Sequence, residues 1–120
     1  MATAAAGVAA SLTALTGRDF LSSADFSAEE TAALLELASQ LKSGERRIDL
    51  GNRVLGLIFT KASTRTRVSF SVAMTRLGGQ TVDLNPSVTQ LGRGEPLQDT
   101  ARVLSSYCDA LAVRTYAQQE

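Results

Sequence analysis

Histidine is absent from this chain and cysteine occurs once, at Cys108. A transition-metal site needs several imidazole or thiolate ligands, so none is expected from this chain alone, and no internal disulfide can form. Charge of one sign is also lacking: twelve acidic residues balance twelve basic ones. Such a chain has no global field for nucleic acid or an anionic membrane, and any positive charge that matters must be local. Long apolar runs are missing too, so no segment reaches the length of a bilayer span. The alanine-rich start, MATAAAGVAASLTAL, carries no Lys or Arg before Arg18 and has neither a basic n-region nor a strongly apolar core. It reads as a flexible extension over residues 1–14 rather than a sorting signal, and the simplest location is the cytoplasm.

What remains is 120 residues, 44% of them hydrophobic, the length of one ordinary globular domain. The stretch SAEETAALLELASQLKSGE opens with Ser27 and Glu30 in capping-box spacing and closes at Gly44. An amphipathic helix is expected there, with Leu34, Leu37, Ala38 and Leu41 on its inner face. RVLGLIFT, residues 53–60, is a short and nearly continuous apolar run, the pattern of a strand buried on both faces of a parallel sheet. A second helix follows over residues 63–77, with Phe70, Met74 and Leu77 on one side and Val68 and Val72 beside them, ending at Gly78–Gly79. QTVDL reads as a strand, NPSVTQLGRGEP as a loop, residues 97–108 as a third helix and DALAVRT as a third strand. Strands and helices alternate without a hairpin signal, which predicts an α/β fold: a parallel sheet with flanking helices. Cys108, in the apolar stretch VLSSYCDALAV, is expected to be a buried packing thiol.

The junction FTKASTRTRVSF joins the first strand to the second helix, at the carboxyl edge of the sheet where open α/β folds bind ligands. A helix start offers unsatisfied amides and a partial positive charge, so it attracts anions. Ser63 is placed as the N-cap, Thr64 and Thr66 add hydroxyls, and the Arg65 guanidinium suits phosphate oxygens. Arg65 and Arg67 point about 200° apart on a helix, so one of them faces a ligand and the other is left for an ion pair. Arg65 is assigned to the ligand and Arg67 to the pair. Ordinary capping is the alternative, yet two cations in a first turn oppose the helix dipole unless an anion offsets them. Neither a G-x-x-x-x-G-K-[ST] loop nor a G-x-G-x-x-G turn is present, which disfavours a nucleotide.

From about Leu15 onward, and most specifically in FTKASTRTRVSF, LGGQ and GEPLQDTARVLSSYCDALAVRT, the chain resembles the carbamoyl-phosphate domain of the aspartate and ornithine carbamoyltransferases. The resemblance implies carbamoyl transfer from carbamoyl phosphate to an amine, without cofactor or metal. Ser63, Thr64, Arg65 and Thr66 would hold the phosphate, and Arg114 would reach the carbonyl or phosphate oxygen. Arg65 and Arg114 would stabilise developing charge. Glu95 and Asp99 are assigned a structural role with Arg67 or Arg65. The stretch Thr89-Gln90-Leu91-Gly92-Arg93 lacks the serine pair and lysine typical of aspartate-using relatives. Gln90 instead matches the position from which ornithine-using enzymes reach a neighbouring subunit's site, implying L-ornithine as acceptor and a homotrimer with shared active sites. Aspartate or another amine remains the alternative.

The chain stops before the family's H-P-x-Q element. It is therefore expected to be an incomplete carbamoyl-phosphate domain, residues 15–120, without the amino-acid-binding domain and inactive alone. A truncated, non-catalytic anion-binding or oligomerisation module is the alternative of another class.

Overall fold

A computed structural model describes residues 12–59, 63–84 and 97–115. The chain divides into two compact units, residues 1–47 and 48–120.

In the first unit, residues 12–14 are helical and Gly17 turns the chain with a positive φ of 78°. Arg18 then lies 5.0 Å from the centroid of the Phe26 ring, which stacks on Phe20 at 4.8 Å. A single 3₁₀ turn, Ser23–Asp25, is closed by its own capping box from Ser22. Helix α1 spans Ala28–Ser43. The Ser27 hydroxyl accepts from the Glu30 amide at 3.1 Å, and the Glu30 carboxylate accepts from the Ser27 amide at 2.9 Å. Two of the helix's orphan donors are thereby satisfied by the pair that the spacing predicts. Gly44, at φ 83°, ends it in the left-handed conformation. The inner stripe differs in one place from expectation. Ala33 is buried and Leu34, Leu37 and Leu41 are half-buried, whereas Ala38 is exposed. The stripe runs through 33, 37 and 41 by fours, and Ala38 falls outside that row.

The second unit is a three-stranded parallel sheet. Strand β1 is Val54–Phe59, β2 is Gln80–Asp83 and β3 is Ala110–Arg114, in the order β2-β1-β3. Helix α2, Thr64–Arg76, connects β1 to β2, and α3, Leu97–Tyr107, precedes β3. The central strand supplies the core, with Leu57 at 0%, Ile58 at 2% and Phe59 at 4% exposure. Continuous burial of successive residues is the signature of a strand covered on both faces. The chain leaves β1 in one direction and returns to its other side. Right-handed crossovers therefore put α2 and α3 on opposite faces.

Side-chain alternation along β1 agrees with this. Phe59 meets Phe70 of α2 edge-on at 6.4 Å, while a side chain at Gly56 would run into Leu111 and the Cys108 sulfur beyond α3. Glycine at 56 is what allows that close approach. Cys108 thus packs against the sheet, half-buried rather than fully so.

The two edges of the sheet are fixed differently. At the amino edge, Asp109 accepts from the Val54 amide at 2.8 Å, and the Asp109 amide donates to the Val54 carbonyl at 2.9 Å. At the carboxyl edge the ties come from α2.

Among the described residues no helix is long and apolar enough to cross a membrane.

Candidate functional site

The strand order reverses direction between β1 and β3, and crevices at such switch points, at the carboxyl ends of the strands, are where open α/β sheets hold ligands. Helix α2 begins beside that crevice. Ser63 occupies its N-cap position with extended dihedrals, φ −161° and ψ 96°, yet its hydroxyl makes no capping bond. No acidic residue lies in the first turn. The helix start is therefore left with amides and charge that its own sequence does not satisfy.

Parallel register places three side chains on the α2 face of the carboxyl edge. Phe59 of β1 is level with Arg114 of β3, and Leu57 is level with Asp83 of β2. Residues in register share a face, so Asp83, Phe59 and Arg114 point the same way across the sheet. Consecutive residues of α2 reach to opposite sides of this row. Thr66 accepts through Oγ1 from Arg114 Nη1 at 3.1 Å, a bond spanning 48 positions of sequence. Arg67 brings Nε to within 3.2 Å of Asp83 Oδ2, and its guanidinium lies 5.4 Å from the Phe59 ring centroid. The Arg67 Nε is buried, and its contact with Asp83 is an ion pair off the line of a hydrogen bond. The pair is partly exposed, 31% at Arg67 and 42% at Asp83, so solvent screens it and its direct worth is about 0–1 kcal/mol.

Arg65 behaves otherwise. It is exposed and has no ion pair or hydrogen bond among the described residues. Its side chain lines a shallow groove along the outer face of α2, with Val68, Ser69, Val72 and Arg76. That groove corrects the expected position of two residues. Val68 and Val72, 53% and 42% exposed, belong to the Arg65 stripe and do not pack beside Met74 and Leu77. They stand three and seven positions beyond Arg65, on the same helical face.

The structure thus brings Thr66 and Arg114 together, with Ser63 half-buried at the helix start and Thr64 and Arg65 exposed next to it. Arg67's carboxylate partner is Asp83 and not Asp99, which is exposed in the first turn of α3 without an ion pair among the described residues. Gln90 and Glu95 lie outside the described residues. Asp83 is the residue that sequence reasoning passed over. Strand alternation in QTVDL puts Thr81 and Asp83 on one face, and that signal was available. The guanidinium of Arg114 beside the open amides of α2 makes an arrangement suited to an anion with several oxygens, while Arg65 stands exposed in the same first turn on its outer face.

Comparison with known proteins agrees with that chemistry. Over its whole length the chain is 85% identical to an ornithine carbamoyltransferase from Parasynechococcus marenigrum, of which it covers 38%. Among solved structures, ornithine carbamoyltransferase from Gloeobacter violaceus superposes with a TM-score of 0.74 at 55% identity, covering 84% of this chain and 32% of that one. Aspartate transcarbamoylase from Trypanosoma cruzi, in complex with carbamoyl aspartate and phosphate, gives 0.73 at 37% identity, covering 84% of this chain and 34% of that one. This chain therefore spans between about one third and two fifths of the length of these relatives. Residues 18–120 match the family model of the aspartate/ornithine carbamoyltransferase carbamoyl-phosphate binding domain. With that match running through the α2 start and the end of β3, the chain belongs to the aspartate/ornithine carbamoyltransferase family.

Proposed function

We propose that this chain is the carbamoyl-phosphate part of an ornithine carbamoyltransferase, which converts carbamoyl phosphate and L-ornithine to L-citrulline and phosphate in arginine biosynthesis. The observation that carries this reading is the 85% identity to such an enzyme along all 120 residues. The tie between Thr66 and Arg114 supports it, because it holds a guanidinium at the crevice beside an open helix start. In this scheme Ser63, Thr64, Arg65 and Thr66 hold the phosphate, and Arg114 faces the carbonyl oxygen. The neutral δ-amine of ornithine attacks the carbamoyl carbon. Negative charge moves to the carbonyl oxygen and then, as the carbon–oxygen bond to phosphate breaks, to the departing phosphate, which takes up the proton the amine sheds. Arg114 and Arg65 stabilise that charge. Orientation of the amine against a reactive mixed anhydride supplies much of the remaining acceleration.

Residues 15–120 form the carbamoyl-phosphate domain, and the acceptor is held by a separate amino-acid-binding domain that these residues do not include. Gln90 serves a neighbouring subunit of a cytoplasmic homotrimer, while Arg67, Glu95 and Asp99 serve structure. The test is to assay the product of the full reading frame for citrulline and carbamoyl-aspartate. Citrulline formation is expected. Carbamoyl-aspartate instead of citrulline would assign the aspartate reaction, and neither product would overturn the proposal.

A further inference from the structure

We propose that Asp83 is a positioning residue for carbamoyl phosphate, acting through Arg67, an assignment that rests on carbamoyl phosphate binding at the α2 start. Thr66 and Arg67 are neighbours in the first turn and bind opposite outer strands: Thr66 meets Arg114 on β3, and Arg67 meets Asp83 on β2. Phe59 lies between them on the central strand, under the Arg67 guanidinium. The turn is therefore held at two points across the sheet edge, and releasing either one lets it roll about the helix axis.

Asp83 also decides which arginine meets the anion. By neutralising Arg67 on the β2 side, it keeps that guanidinium off the crevice between β1 and β3. The first turn contains no acid that could do this from within the helix. A cation there opposes the dipole, so Arg67 needs a carboxylate from elsewhere, and Asp83 supplies it.

The experiment uses the product of the full reading frame, with carbamoyl phosphate and ornithine varied in turn and Tm recorded for each variant. Asp83→Asn is expected to raise KM for carbamoyl phosphate about tenfold, with KM for ornithine moving less than about twofold, as for residues coupled in one network. Asp83→Glu should recover most of the loss. In an Arg67→Gln background, Asp83→Asn should add nothing further, because its effect runs through Arg67. An unmoved KM for carbamoyl phosphate overturns the assignment, as does an additive double variant or an equal decline of every parameter with Tm. If Asp83→Asn does not fold, Arg67→Gln decides alone: a raised KM for carbamoyl phosphate supports the assignment and an unchanged one overturns it. A wild-type protein that neither binds carbamoyl phosphate nor forms citrulline overturns the functional reading, and this one with it. A working wild type with an indifferent Asp83→Asn overturns the role of Asp83 alone.

Discussion

Helices α1 and α2 both begin with a serine at the N-cap, and they use it in opposite ways. Ser27 closes a reciprocal capping box with Glu30, and Glu29 and Glu30 place negative charge in the first turn of α1. Ser63 makes no capping bond, and the first turn of α2 holds Arg65 and Arg67 with no acid. The α1 start is satisfied from within, so a ligand there would gain little. The α2 start carries unsatisfied amides and a positive field, which costs stability until an anion arrives. Two helices of one short chain thus separate a terminus satisfied by its own sequence from one that its own sequence leaves open.

The contrast can be broken most strongly at Arg65. Arg65→Ala in the intact protein should weaken carbamoyl phosphate by roughly 10- to 100-fold, the worth of hydrogen bonds to a charged group, with Tm unchanged. Calorimetric titration measures this, and unchanged affinity would remove Arg65 from the site. Next, Thr64→Glu would give α2 the acid that α1 already has. Stability should rise by about 0.3–1 kcal/mol as carbamoyl phosphate affinity falls about tenfold or more, since the new carboxylate takes the anion's place. Thermal melts read together with titrations would reveal this trade, and a gain in both would contradict it.

The serines sharpen the comparison at a smaller scale. Ser27→Ala should cost about 1 kcal/mol of stability without touching binding, whereas Ser63→Ala should leave stability within about 0.5 kcal/mol and weaken binding. Equal destabilisation by the two would show that Ser63 caps in solution. The smallest effect concerns Glu30, whose carboxyl is held below the usual carboxylate range, first by the Ser27 amide and further by Arg18. A depressed folded-state value means that its contribution is fully present above the unfolded glutamate value and is lost as pH falls through the folded one. Denaturant melts repeated at decreasing pH should therefore show a slope that Glu30→Gln flattens.

What the sequence disclosed follows the range of the forces involved. The capping box at Ser27 and Glu30, the stop at Gly44 and the continuous apolar run of β1 are local signals, and each is where it was expected. The identity of Arg67's partner is not local. Asp83 and Asp99 both lie on elements after α2, and it is the order β2-β1-β3 that brings Asp83 beside Phe59. Val68 and Val72 are exposed, against the expectation from spacing, for a related reason. Apolar spacing defines a stripe, but which stripe turns inward depends on where Thr66 and Phe70 find partners on the sheet. In the sequence Gly56 is one member of an apolar run, whereas in the fold its missing side chain is what admits Cys108 and Leu111.

The adjacency of Thr66 and Arg67 has a consequence for how this region can change over generations. Each residue added to a helix turns everything beyond it by about 100°. A single-codon insertion or deletion between Ser63 and Thr66 would swing both residues away from Arg114 and Asp83 together. Exchanging one amino acid for another releases at most one of the two anchors. A change in the length of this stretch is thus costlier than the exchange of any one of its letters.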